Sequence, residues 1–242
     1  MTIDESYKFL NFISNKNQSG NITPINFNIV AKEAQLEFYN KEYKVWEATQ
    51  EITDNLAPFL VHKLIQVDND GKIFYPSDYV HVSSCGIIYN WKDNYGKNQS
   101  EPREVKERNN ADFRTALNDR VAPPTLKRPI FTSYSDYIQF LPKNISRVEF
   151  DYLRKPKDPV WDYDIVNGRP KFVSRGYSIT ANTQLNGNPL SVPRKSQSQD
   201  FEFPENVHKQ IVYAMSTLLG INLRENDFVQ YSEMEKNNPT QS

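Results

Sequence analysis

The chain has 242 residues, which allows one large domain or two small ones. Its 29 basic and 30 acidic side chains give a net charge of −1, which argues against binding to nucleic acid through bulk charge. The single cysteine, Cys85, excludes an intramolecular disulfide and a zinc site with several cysteine ligands. Because there is no long apolar run and no signal-peptide-like segment after Met1, the sequence predicts a soluble protein of a reducing compartment.

Charge is distributed unevenly along the chain. Residues 1–119 carry a net charge of −4, residues 120–199 carry +7 and residues 200–242 carry −4. Ten of the 15 prolines lie between Pro123 and Pro204. This pattern predicts a basic, extended middle segment between two acidic, helical ends. Such polarity suits head-to-tail contact between copies, although mixed surface charge is the commoner explanation.

Two helices are predicted at the start of the chain. Thr2 and Glu5 have the spacing of a capping box, and the apolar repeat over residues 3–13 predicts a short amphipathic helix. Thr23 is a favourable N-cap followed directly by proline, so a second, long helix is predicted over residues 24–49.

The second helix carries two apolar stripes, whereas a surface helix of a monomer needs only one. Two explanations remain open: the chain covers both stripes itself, or one of them meets a neighbouring subunit. All members of the first stripe except Ile25 are candidates for contact between subunits. The first stripe consists of Ile25, Ile29, Leu36, Tyr39, Tyr43 and Trp46, and the second of Phe27, Val30, Ala34, Phe38 and Val45.

The middle of the chain has the patterns of β-strands. The Asp-Asn-Asp-Gly run at residues 68–71 lies between two apolar runs and predicts a hairpin turn. A calcium-binding EF-hand loop does not fit there, because Gln66 and Ser77 stand where it needs carboxylates. The strict alternation of residues 147–152 predicts a strand, which we expect to pair with residues 137–141.

The segment between these strand signals is polar. We expect residues 79–91 to form a further strand, residues 92–110 to form an exposed loop, and residues 111–117 to form a helical turn. The Asn-Gly pairs at Asn167 and Asn186 predict two more turns.

These patterns together predict an α+β protein. A long N-terminal helix and C-terminal helices form a helical core, with inserted antiparallel strands or hairpins and extended proline-rich loops. We expect one composite domain with an N-terminal helical part (1–60), a β-rich insertion (61–200) whose extended arm covers about 154–200, and C-terminal helices (201–242) packed on the N-terminal part.

No cluster of residues predicts catalysis. His62, His81 and His208 lack metal-ligand spacing within one element, and we expect His208 to be solvated or lightly paired. With 8 glycines, the chain has neither a dinucleotide-binding nor a Walker loop. Asp162 and Asp164 could serve a hydrolase, but their spacing is common in strands with one polar face. On the residues alone, catalysis is not excluded but has no support, and we expect no metal and no cofactor.

A basic cluster directly follows the alternating strand. Such a cluster suits an interface between proteins, because Arg, Tyr and Trp dominate binding hot spots. Contact with single-stranded nucleic acid and a plain solvated turn remain open alternatives. The contact candidates in this region are Tyr152, Arg154, Lys155, Lys157 and Trp161.

Six short stretches, taken in order, carry a family resemblance. They are residues 22–28 (ITPINFN), 34–40 (AQLEFYN), 52–59 (ITDNLAPF), 123–125 (PPT), 152–156 (YLRKP) and 200–204 (DFEFP). In this order they resemble the neck and tail ring proteins of crAss-like bacteriophages. The resemblance extends from about residue 7 to residue 221.

The resemblance implies a structural virion protein without catalytic residues. It would form a ring of twelve copies in the head-to-tail connector (neck and tail) of a short-tailed phage, after assembly in the host bacterial cytoplasm. Its partners would be copies of itself, the portal protein and other neck or tail ring proteins, with no membrane. Genomic DNA would pass through the lumen without sequence-specific binding, and we expect acidic segments to face that lumen.

Two alternatives to a connector ring remain open. The first is a DNA- or cargo-contacting virion protein that uses the basic residues at 154–157 and 194–195. The second is a virion-associated hydrolase that uses Asp162 and Asp164.

Overall fold

The computed structural model describes residues 1–16, 20–45, 50–92, 95–179 and 193–220, with the backbone alone for residues 50–52. The chain divides into two compact units. Unit 1 contains Met1–Pro58 and Pro156–Ser242, and unit 2 contains Phe59–Lys155. Helices and antiparallel sheets occur together, which confirms the predicted α+β class.

The secondary structure is numbered in chain order. The helices are α1 (Ile3–Lys16), α2 (Pro24–Lys44), α3 (Gln50–Leu56), α4 (Asn110–Asn118) and α5 (Glu205–Leu218), and a 3₁₀ turn spans Ala57–Phe59. The strands are β1 (Leu60–Gln66), β2 (Lys72–Phe74), β3 (Tyr79–Lys92), β4 (Asn98–Glu104), β5 (Lys106–Glu107), β6 (Ile130–Ser133), β7 (Tyr137–Leu141), β8 (Arg147–Arg154), β9 (Tyr163–Val166), β10 (Arg169–Phe172), β11 (Ser178–Ile179) and β12 (Arg194–Lys195).

Side chains cap the N-termini of the first two helices. The Thr2 N–H donates to Glu5 Oε2 at 2.8 Å, and the Glu5 N–H donates to Thr2 Oγ1 at 3.2 Å, so the predicted capping box is present. At the start of α2, Thr23 Oγ1 accepts from the Asn26 N–H at 3.3 Å. The predicted continuation over residues 46–49 lies outside the described residues.

Unit 1 has a helical core. Helix α2 packs against α5 and α3, and α1 packs against α5. Strands β9 and β10 form a hairpin whose Asn167 and Gly168 both have positive φ, as the Asn-Gly turn predicted. The second predicted turn, at Asn186, lies outside the described residues. The core side chains include Phe9, Leu10, Ile13, Phe27, Phe38, Val207, Ile211 and Met215.

Unit 2 consists of two four-stranded sheets and α4. The first sheet has the antiparallel order β1-β8-β3-β4, and the second has the order β2-β7-β6-β5, in which β5 and β6 are parallel. The alternation predicted for residues 147–152 is confirmed, because Val148, Phe150 and Tyr152 are fully buried. They share one apolar core with side chains of the second sheet such as Phe131 and Phe140.

The two predicted strand pairings are wrong, although the turns between the strands are real. Asp68 Oδ1 accepts from the N–H groups of Asp70 and Lys72, and Gly71 has a φ of +78°, so residues 68–71 do turn the chain. The flanking strands then separate, because β1 pairs with β8 and β2 pairs with β7. The second predicted pairing fails in the same way, because β8 lies between β1 and β3 in one sheet, whereas β7 lies between β2 and β6 in the other.

The exposed loop predicted over residues 92–110 is also wrong in part. Residues 98–104 form β4, which pairs with β3 from Lys92↔Asn98 to Gly86↔Glu104. The side chains of β4 alternate between exposed and half-buried positions. Because neither face of this edge strand reaches the core, its sequence carries no apolar alternation.

Gly71 offers a direct test of the turn that separates the two sheets. A Cβ at this position would lie 2.9 Å from the Phe140 carbonyl oxygen. We expect Gly71→Ala to destabilise the protein by about 3 kcal/mol, since it adds a clash to the strain of positive φ. Gly96 has a φ of +76° and no atom within 4 Å of a built Cβ. The Gly96→Ala control is therefore expected to cost about 1 kcal/mol in urea unfolding, and equal losses would contradict the clash.

Candidate functional site

Helix α2 has one buried face and one face that the described chain covers only in part. Phe27, Phe38 and Tyr39 are buried. On the opposite side, Ile29 is 56% exposed and Leu36 is half-buried. We call this side, with Ile29, Leu36 and the two flanking glutamates Glu33 and Glu37, the outer α2 face.

The contact candidates of the first stripe therefore have different environments. Tyr39 is fully buried in unit 1, so the expectation of a contact to another subunit is corrected for this residue. Tyr43 is half-buried, and Trp46 lies outside the described residues. Ile29 and Leu36 remain as apolar side chains with a surface available to a partner.

A groove runs along the outer α2 face. Its volume is about 540 Å³, and Leu218 of α5, which is 50% exposed, forms its opposite wall. Glu33 and Glu37 are exposed and form no ion pair with any described residue. The neighbouring Lys32, in contrast, pairs with Asp158 at 2.8 Å, and this partner raises the pKa of the lysine. The groove is thus apolar at its centre and acidic toward the N-terminal half of α2, whereas Lys41 and Lys44 line its other end.

Trp161 is covered by its own chain. The side chain is 2% exposed, and its ring stacks on Tyr7 with the ring centroids 4.0 Å apart. Its Nε1–H donates to Asp4 Oδ1 at 2.8 Å, and its backbone N–H donates to Asn28 Oδ1 at 2.8 Å. The expectation that Trp161 contacts another subunit is therefore corrected: Trp161 joins α1 and α2 inside unit 1.

The basic residues after β8 are held by internal contacts. Lys157 Nζ lies 3.1 Å from Glu202 Oε1, and the Lys157 carbonyl accepts from Gln35 Nε2 at 2.8 Å. Lys157 belongs to unit 1, whereas Arg154 and Lys155 belong to unit 2. The three cations therefore do not form a cluster within either unit.

Tyr152, Arg154 and Lys155 have defined positions in unit 2. Tyr152 is fully buried, and its hydroxyl donates to Asp78 Oδ1 at 2.9 Å. The Arg154 guanidinium lies 5.5 Å from the centre of the Phe59 ring. Lys155 is exposed, and its N–H donates to the Asp78 carbonyl at 2.8 Å. Among these three residues, Lys155 has the most exposed side chain.

Asp162, a candidate for the hydrolase alternative, is fully buried and serves as an acceptor. Arg194 donates to both of its oxygens, with Nη2 2.6 Å from Oδ1, and this bond raises the pKa of the arginine. The N–H groups of Tyr163 and Gln197 donate to the same carboxylate. Asp164 Oδ1 accepts from its own strand, from the Ile165 N–H at 3.0 Å. Arg194 is thus engaged inside unit 1.

His208 is buried rather than solvated, which corrects the prediction. It is 5% exposed. Its Nδ1 lies 2.7 Å from the Met1 carbonyl oxygen, and its Nε2 lies 2.7 Å from the Phe203 carbonyl oxygen. The ring therefore connects α5 to the start of the chain.

Three chemically active residues meet on one sheet of unit 2, which the sequence did not indicate. Asp151 Oδ1 lies 2.6 Å from His62 Nδ1, and Ser84 Oγ donates to Asp151 Oδ2 at 2.6 Å. In a nucleophilic triad the histidine stands between the serine and the carboxylate. Here the carboxylate stands in the middle, so the histidine is not placed to remove the serine proton.

A second cleft lies beside α4 in unit 2, and it too was missed from the sequence. Its volume is about 690 Å³. Arg108 reaches it from the end of β5, while Lys127 and Arg128 reach it from the turn before β6. Because β5 and β6 pair in parallel, residues about 20 positions apart in the sequence line the same cleft. We call this site the basic cleft.

Cys85 provides a test of the packing of unit 2. It is 2% exposed, and burial raises the pKa of its thiol. We expect its alkylation by a maleimide at pH 8 to be at least about a hundredfold slower in the native protein than in denaturant. Mass spectrometry of timed samples measures the rate, and labelling at the rate of an exposed thiol would contradict the buried position.

The described residues hold neither a candidate metal site nor a candidate membrane span. They contain no group of three or more His, Cys, Asp or Glu side chains that could hold a metal ion. Within the same part of the chain, no helix is long and apolar enough to cross a membrane.

Comparison with known proteins gives no family assignment. No protein-family profile and no curated protein sequence matches the chain.

Proposed function

We propose that this chain is a structural protein of a phage virion and forms a ring in the head-to-tail connector. In this proposal it joins the portal to the tail, and genomic DNA passes through its lumen without sequence-specific binding. Its partners are copies of itself, the portal protein and other neck or tail ring proteins. It assembles in the host bacterial cytoplasm, and its acidic segments face the lumen.

The observation that carries the proposal is the outer α2 face. Its apolar side chains Ile29 and Leu36 keep exposed surface, although the other side of the same helix is buried. Apolar surface on one rigid helix favours a partner, because association removes it from water. A ring gives each subunit two neighbours, so one such face in every copy can be covered by the next copy.

The proposed architecture specifies how the helices and strands of the α+β fold are arranged along the chain. It consists of a long N-terminal helix packed with C-terminal helices, into which antiparallel strands and extended proline-rich loops are inserted. The 21-residue helix α2, its packing against α5 and the position of unit 2 between residues 58 and 156 support this architecture. A rigid helical part with a separate β unit is suited to contacts both within a ring and between rings.

The oligomeric state tests the proposed function. We expect the purified chain to form a cyclic oligomer, twelve copies by the resemblance, visible in negative-stain images and in mass photometry. Phage particles are expected to contain the chain at the neck, where labelling with a specific antibody can locate it. A chain that is monomeric in solution and absent from particles would overturn the proposal.

Ile29 provides the corresponding mutational prediction. Ile29→Asp places a charge on the outer α2 face and is expected to weaken association at least about tenfold, because a charge at an interface core has to be desolvated. Leu64→Asp is a matched control, since Leu64 of β1 is also 56% exposed. Sedimentation of both variants measures the effect, and wild-type association of Ile29→Asp would contradict the role of this face.

A further inference from the structure

We propose that the outer α2 face of one copy docks into the basic cleft of the next copy, so that each copy offers one of these surfaces to each neighbour. This inference rests on the proposed function, because it assigns the two sides of the contact within the ring. The occupant of the cleft is a second copy of this chain.

The basic cleft offers cations without internal partners. Arg108, Lys127 and Arg128 line it, and none of them forms a side-chain ion pair or hydrogen bond with the part of the chain that the structure describes. The turn that carries two of them is fixed, because the Arg128 N–H donates to the Thr125 carbonyl at 2.9 Å. A fixed turn loses little conformational freedom when a partner binds.

The carboxylates of the cleft are already engaged. Asp119 Oδ1 accepts from the N–H groups of Val121 and Ala122, and these backbone hydrogen bonds lower the pKa of the carboxyl. Asp112 Oδ2 accepts from Asn109 Nδ2 at 3.0 Å. Three cations face two carboxylates, and only the cations have side chains without partners among the described residues, so the cleft favours an acidic ligand.

The outer α2 face has the complementary charge. Glu33 and Glu37 are four residues apart and therefore project from the same side of the helix. Both are exposed and unpaired among the described residues, and Leu36 lies between them in the sequence. Two glutamates can pair with the cations of the cleft while the apolar side chains make contact beside them.

Apolar surface is present on both sides of the proposed contact. Pro123, Pro124 and Ile130 line the cleft. Ile29 and Leu36 would face them from the next copy. An interface with an apolar centre and charges around it is the usual arrangement for specific association.

The two surfaces lie on different parts of the chain, so the contact is head-to-tail. Contacts of this kind continue from copy to copy and close into a ring when the rotation allows. A different arrangement would pair two α2 helices antiparallel, with Glu33 and Glu37 facing Lys44 and Lys41 of the other copy. That contact is symmetric and ends at a dimer, which does not fit the proposed ring.

Cross-linking between introduced cysteines tests the pairing. The native Cys85 is buried, so a short bis-maleimide reports only on the new thiols. Each thiolate adds across one maleimide double bond, and no oxidant is needed. The double variant Glu33→Cys/Arg128→Cys is expected to give a ladder of covalent multimers on a denaturing gel, because each link joins one copy to the next.

The controls separate the alternatives. Glu33→Cys/Ser100→Cys places the second thiol on the exposed Ser100 of β4, and it is expected to stay monomeric on the gel. A ladder from this control as strong as that from the test pair would overturn the pairing. Covalent dimers from Asn40→Cys alone, without a ladder from the test pair, would indicate the antiparallel α2 contact and also overturn it.

Charge exchange gives an independent readout. Glu33→Lys/Glu37→Lys and Arg108→Glu/Arg128→Glu are each expected to weaken association at least about tenfold, and a chain with all four changes is expected to recover most of it. If the wild-type protein assembles but the fourfold variant does not recover, this pairing is overturned and the ring remains. If the wild-type protein is monomeric in solution and absent from particles, the proposed function itself fails.

Discussion

Replacing Trp161 by alanine is expected to destabilise unit 1 by about 4 kcal/mol, among the largest effects of any single change in the chain. The change removes a buried ring that stacks on Tyr7 and leaves a cavity between α1 and the segment that follows unit 2. It also removes the Nε1–H bond to Asp4. Urea unfolding followed by far-ultraviolet circular dichroism measures the loss, because the helices lie mainly in unit 1.

The Trp161→Phe variant separates packing from hydrogen bonding. Phenylalanine retains most of the stacking but has no N–H, so we expect a loss of about 1 to 2 kcal/mol. Asp4 keeps a partner in this variant, since Lys8 Nζ lies 2.9 Å from its Oδ2. If Trp161→Ala unfolds like the wild-type protein, the ring is not part of the core of unit 1.

Replacing Asp162 by alanine is the second change with a large expected effect. The guanidinium of Arg194, whose side chain is 21% exposed, loses the carboxylate to which its Nη1 and Nη2 both donate. The N–H groups of Tyr163 and Gln197 lose their acceptor as well. We expect the free energy of unfolding to fall by about 4 kcal/mol, because removing one member of a buried pair leaves the other uncompensated.

A double-mutant cycle isolates the ion pair. Arg194→Met alone leaves a buried carboxylate and is expected to cost about 3 kcal/mol. The double variant Asp162→Leu/Arg194→Met removes both charges, so its loss is expected to be smaller than the sum of the single losses. Additive losses in urea unfolding would show that the two side chains do not stabilise unit 1 as a pair.

Local sequence signals predicted the elements that depend on neighbouring residues. Thr23 caps α2 because the acceptor and the free N–H groups lie within one helical turn. The Asn167-Gly168 turn and the alternation of β8 are likewise determined over two to six residues. In each of these features the interacting residues are close together in the sequence, so a short stretch contains all of them.

Features that join distant residues could not be predicted in this way. Trp161 was predicted to contact another subunit because its partner Asp4 is 157 residues away in the chain. The order of strands in unit 2 has the same cause, since the apolar pattern of β8 does not identify β1 and β3 as its neighbours. The basic cleft depends on the parallel pairing of β5 with β6, for which neither short strand carries a signal.

The register of β1 and β8 has a consequence for how this chain could have arisen. Leu60 and Leu153 are directly opposite each other, so the polypeptide leaves for unit 2 and returns from it at adjacent points, roughly 5 Å apart. A segment with neighbouring ends can be gained, lost or exchanged as a cassette, because a short linker replaces it without stretching the remaining chain. Residues 59–155 are thus suited to exchange between related proteins, with the helices of unit 1 kept.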